Sequence, residues 1–127
     1  MENSVENSNL NEQLEQIDGR IAELKDAIKV SEALERLHEN EDFKTVILDG
    51  YLEKESKRLF GVLVTPSTLK RDVIENIQDK LSAIRNIKQY FGVLLQNAHM
   101  APMQIEEEED YRKEVTASYS NNETEEE

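Results

Sequence analysis

Aliphatic residues stand at Leu10, Leu14, Ile17, Ile21, Leu24 and Ile28, spaced four, three, four, three, four, with nothing apolar between them except two alanines. So narrow a stripe predicts a seam for another helix and not the broad face of a helix lying on a large core. With Leu14, Ile21 and Ile28 at heptad position a, position d holds Leu10, Ile17, Leu24 and then Ser31, where the register is read as breaking. Beyond it Val30, Ala33, Leu34 and Leu37 form a wider face. The pattern predicts a first helix over 9–39, capped by Ser8 or Asn9.

The polar stretch 38–42 supplies Asn40 and Asp42 as caps for a second helix over 42–63. Both its ends are apolar on more than one face, which predicts that they are sandwiched. Gly50 lies in its middle, where glycine costs about 1 kcal/mol relative to alanine, and is read as a close helix contact. Thr65 can cap the next helix, and Pro66 suits a first helical position because its missing N–H would be unpaired there anyway. A third helix is expected over 66–98, with Ile74, Ile77, Leu81, Ile84, Phe91 and Leu95 at heptad spacing. Two short connections favour an up-down-up order. No strand is expected, since the β-branched residues recur at helical spacing.

The predicted fold is therefore all-α: an antiparallel helical hairpin or three-helix bundle with an N-terminal coiled-coil segment and a disordered acidic C-terminal tail. Its parts are a disordered 1–8, a helical domain 9–103 and a disordered tail 104–127. The second helix is the shortest, so the seam of the first either packs along the end of the third or meets another subunit. A protruding first helix that oligomerises is the favoured arrangement.

Charge refines this picture. The chain of 127 residues has net charge -13, and residues 104–127 contribute ten acids against two bases. Too few apolar residues and too much like charge stand there for independent folding. The acidic balance disfavours nucleic acid and anionic lipid as partners, because their phosphates would be repelled. No run of 18 apolar residues occurs and the N-terminus lacks a basic-then-apolar leader, so neither membrane spanning nor ordinary export is expected. The absence of cysteine fits a reducing, cytoplasmic setting and excludes thiolate chemistry.

Candidate chemistry is sparse. His38 and His99 fall at expected helix ends, where capping is the ordinary role, and neither belongs to a zinc pattern. No GxSxG, P-loop or GxGxxG is present. Asp49 and Glu53 share a helical face but lack the alternating oxygen ligands of a calcium loop. No catalytic, cofactor or metal residues are therefore assigned. The better-formed feature is a basic group, Lys54, Lys57, Arg58, Lys70 and Arg71, flanking the turn between the second and third helices. It suits a carboxylate-rich partner, including the acidic tail of a neighbouring copy.

The stretch 41–63, followed by a proline turn and residues 84–98, resembles small helical proteins encoded in tailed double-stranded DNA bacteriophage genomes, within virion-morphogenesis gene sets. The resemblance covers 37–103. It implies a non-enzymatic virion or assembly component made in the host cytoplasm, with other virion proteins as partners. Together with the seam at Leu10 to Ile28, it leads to the expectation of a self-associating structural protein. The alternative is a small acidic inhibitor whose carboxylates imitate DNA phosphates on a host enzyme.

Overall fold

The structure, a computed structural model, describes residues 2–65 and 68–125, and the side chains of 7–65 and 68–121. It is all helical, with three helices and no strand among the described residues. Helix α1 is Glu2–Glu39, α2 spans 41–64, and α3 is Arg71–Glu125. The chain forms two compact units, one of Met1–Lys29 with Gln96–Glu127 and one of Val30–Leu95.

In the unit of Val30–Leu95, α2 runs antiparallel to α3, as the hairpin reading expects. Leu52, Leu59, Ile77 and Ile84 are its buried core, with Leu48, Tyr51, Leu81 and Phe91 packed around them. Asn40 caps α2 as predicted, its Oδ1 accepting the Phe43 N–H at 2.9 Å. The up-down-up order is corrected. Asn40 is the single non-helical residue between α1 and α2, in extended conformation with φ -75° and ψ 122°. Helical hairpins need loops of about two to five residues, so this joint does not reverse the chain. His38 of α1 and Phe43 of α2 both pack on Phe91 of α3, with ring centroids 5.8 and 6.4 Å apart. Further back along α1, Glu35 lines a surface pocket with Leu95, so the end of α1 also runs antiparallel to α3. Within this unit the chain reverses once, between α2 and α3.

Helix α2 is not uniformly wound. Lys44–Glu55 is π-helical, with regular α turns on either side. Such i→i+5 winding is rare beyond a single turn. Gly50 lies within it, and a Cβ there would stand 2.9 Å from the Thr45 carbonyl oxygen. The glycine therefore answers to the winding of its own helix and not to a neighbouring helix, as the sequence suggested. The expected sandwiching of α2 is corrected too, since Val46, Phe60 and Val64 are 64%, 60% and 63% exposed.

Thr65 closes α2 instead of opening α3. Its backbone N–H and its hydroxyl both donate to the Gly61 carbonyl, at 3.1 and 2.6 Å, so one residue closes the last turn twice over. The first-turn role read for Pro66 lies outside the described residues. Helix α3 starts at Arg71, five residues later than expected, and continues far past 98. His99 consequently lies mid-helix and Pro102 sits in the helix interior. The segment expected to be a disordered tail is helical through Glu125. Helix α1 likewise reaches back to Glu2 and includes most of the expected disordered 1–8. Once a seam fixes a helix, each added residue brings one hydrogen bond without a new nucleus, so both helices propagate past their apolar positions.

Candidate functional site

The unit of Met1–Lys29 and Gln96–Glu127 explains what the opening stripe faces. Of the six predicted seam residues, Ile17 is 1% exposed, and Leu10, Leu14, Ile21, Leu24 and Ile28 are half-buried while the polar residues between them are exposed. Their cover comes from α3, where Ala98, Ala101, Ile105, Glu108, Arg112, Val115 and Tyr119 stand at spacings of three and four. Ala101 is 0% and Val115 8% exposed.

Two ion pairs set the register. The Arg20 guanidinium forks onto Glu108, Nε to Oε1 at 2.8 Å and Nη2 to Oε2 at 3.0 Å. Arg112 Nε reaches Asp18 Oδ1 at 3.0 Å. As the α1 number rises from 18 to 20 the α3 number falls from 112 to 108, so the segments are antiparallel. That register carries Leu14 to the level of Val115 and Ile28 to the level of Ala101. A forked guanidinium–carboxylate pair fixes orientation as well as attraction. The hydrogen bonds from Arg20 hold the Glu108 carboxyl below its ordinary pKa and raise that of Arg20.

Seam and tail, read separately in the sequence, thus cover each other within one chain. Glu108 and Arg112 are the residues that sequence reasoning missed. The signal was the three-and-four spacing from Ala98 to Tyr119, masked because two slots are charged and Pro102 reads as a stop. Beside the seam runs a groove of about 530 Å³, lined by Arg20, Leu24, Ala27, Met100 and Gln104 among others.

Charge separates cleanly between the units. Met1–Lys29 with Gln96–Glu127 holds 17 acids and 5 bases, net -12, whereas Val30–Leu95 holds 11 acids and 10 bases, net -1. The exposed acids Glu106, Glu107, Glu109 and Asp110 ride on the solvent side of α3, where they meet water instead of one another's burial.

In the other unit, His38, Phe43 and Phe91 form a cluster with edge-to-face contacts from His38 at 5.9 and 5.8 Å. His38 Nδ1 lies 2.8 Å from the Leu34 carbonyl, which only accepts, so Nδ1 carries the proton. A groove of about 410 Å³ opens beside it, lined by Leu48, Asp49, Leu52, Glu53, Lys88 and Phe91. Lys88 pairs with Glu53 at 3.7 Å across it. The weighed cation site at Asp49 and Glu53 thus has an ammonium beside it, and no group of three metal-ligating residues occurs among the described residues.

The basic group is partly answered from within. Arg58 forks onto Glu55 one turn earlier on α2, holding that carboxyl below its ordinary pKa. Arg71 lies 3.5 Å from Glu75 on α3. Lys54, Lys57 and Lys70 are exposed and make no ion pair within 4 Å among the described residues. Among the described residues, no helix is long and apolar enough to cross a membrane. Compared with known proteins, the chain matches no family profile, no curated protein and no solved structure.

Proposed function

We propose that the chain is a non-enzymatic, self-associating structural or assembly protein that acts through helix–helix contacts, as a component of a tailed-phage virion or its morphogenesis in the host cytoplasm. The observation that carries this reading is the outer face of α2, where Phe60 and Val64 remain 60% and 63% exposed. Large apolar side chains left in adjacent positions on a rigid helix favour a protein partner. The phage setting draws on the resemblance over 37–103. In this reading the seam of α1 with α3 packs as a coiled coil within the chain, and assembly uses other surfaces. Light scattering over a dilution series tests it: a mass above one chain that falls on dilution supports self-association, and a constant single-chain mass opposes it.

A second reading is favoured by the helical state of residues 104–125. An inhibitor that imitates DNA phosphates needs carboxylates arrayed on a rigid surface, and the unit of net -12 carries them on paired helices. Replacing Glu106, Glu107, Glu109 and Asp110 by their amides tests this. Undiminished inhibition of a DNA-binding host enzyme would exclude those acids as the mimic.

A further inference from the structure

Helix α2 presents an unusually complete acceptor for a second helix on the side away from its own core. Lys57, Phe60, Gly61 and Val64 occupy positions i, i+3, i+4 and i+7 of the regular turn Ser56–Val64, the four corners that frame a hole for one side chain of a facing helix. Leu59, 3% exposed, marks the opposite face. A Cβ at Gly61 would meet nothing within 4 Å, so one corner of the hole is open space. The frame is apolar at Phe60 and Val64 and cationic at its entrance, where Lys54 and Lys57 stand exposed without an ion pair within 4 Å among the described residues.

A face of matching chemistry occurs on the same chain. Beyond Pro102, α3 carries Met103, Glu107, Asp110 and Glu114 at spacings of four, three and four, with Tyr111 alongside. Met103, Asp110 and Glu114 are turned well away from the seam residues Ile105, Arg112 and Val115 at about 100° per residue, while Glu107 and Tyr111 border the groove on the Arg20 side. Met103 and Tyr111 are 58% and 47% exposed, and the three carboxylates are exposed. Methionine adapts its shape to irregular holes, and tyrosine covers apolar area with few torsions to order.

The geometry points to a second copy of this chain as the occupant of the α2 hole, which receives the Met103–Tyr111 stripe while Glu107, Asp110 and Glu114 meet Lys54 and Lys57. This rests on the self-association proposed above and names its surfaces. The charge complement supports one's own kind as partner: net -12 in the unit that bears the stripe, against a stretch 54–71 with five bases and one acid. The two faces differ, so each copy offers one of each and association is head-to-tail, closing as a ring or extending as a filament according to the rotation between copies.

Two variants of the full chain test it, Phe60→Ser with Val64→Ser, and Met103→Ser with Tyr111→Ser. All four positions are exposed, and far-UV circular dichroism checks that helicity is kept. Each variant alone is expected to have a dissociation constant at least tenfold weaker than the unaltered chain, while an equal mixture recovers pairs, because each retains the face the other lacks. Should a variant lose helicity, the reversal Lys54→Glu with Lys57→Glu takes its place and is expected to weaken association likewise. An unaltered chain that associates while either variant associates equally well, or while the mixture stays monomeric, overturns this assignment and leaves self-association standing. An unaltered chain that is monomeric throughout overturns both.

Discussion

Arg20 and Glu108 are 88 positions apart in the chain and share two hydrogen bonds, 2.8 and 3.0 Å long. The pair converts an ordinary amphipathic stripe into one with an address. Leucines and isoleucines at heptad spacing accept many registers of similar energy, whereas a forked pair is satisfied in one. Reversing either charge alone, Arg20→Glu or Glu108→Arg, is expected to lower the thermal midpoint. The double reversal should recover most of the loss, because both charges again find a partner. A double-mutant cycle by thermal denaturation measures the coupling.

The same pair has a pH signature. The folded-state pKa of Glu108 lies below its ordinary value because the charged form is hydrogen-bonded. Its contribution to stability is therefore complete above the unfolded pKa, near 4.5, and disappears as the pH falls through the lower folded value. The difference in thermal midpoint between the unaltered chain and Glu108→Gln should be constant at neutral pH and shrink below about pH 4. A difference that persists at low pH would mean that the carboxylate charge is not what acts.

Glycine substitutions should part by location. Gly50→Ala places a methyl 2.9 Å from the Thr45 carbonyl and is expected to cost about 1–3 kcal/mol despite the better helix propensity of alanine. Gly19→Ala and Gly92→Ala meet open space and should stabilise by up to about 1 kcal/mol each. Urea midpoints report all three.

Burial predicts a second contrast. Ile17, 1% exposed, should cost about 2–5 kcal/mol when cut to alanine, because the seam cannot close over the void. Leu37, 47% exposed, should change stability by about 0.5 kcal/mol or less.

These contrasts show where the fold was legible in the sequence. The α1 seam, the Asn40 cap and the antiparallel pairing of α2 with α3 follow from periodicity and capping chemistry alone. The helical partner of the seam does not, because two of its slots hold Glu108 and Arg112, which look like solvated charge until Arg20 and Asp18 are placed opposite. The d line of α1 also continues through Ser31, 5% exposed, although a serine reads as a break. Pro102 removes one backbone donor and costs about 3 kcal/mol in an isolated helix. Pairing with α1 on the C-terminal side outweighs that cost, and no local pattern announces such an outcome. The π winding of Lys44–Glu55 has no sequence signature apart from Gly50. The basic group was legible as composition, but its internal answers at Glu55 and Glu75 shift the open cations to Lys54, Lys57 and Lys70. The exposed hole at Lys57, Phe60, Gly61 and Val64 has no distinct signal in the sequence, because apolar residues on more than one face at the ends of α2 read as sandwiching.

The central claim is that the Leu10–Ile28 seam is closed by the chain's own α3, which leaves assembly to other faces. The chain lacks cysteine, so a pair introduced as Leu14→Cys and Val115→Cys reports on that level of the seam alone. After oxidation in dilute solution, non-reducing electrophoresis should show a cross-linked product of single-chain mass. Cross-linked dimers without that product would contradict the account, because the seam would then close between copies.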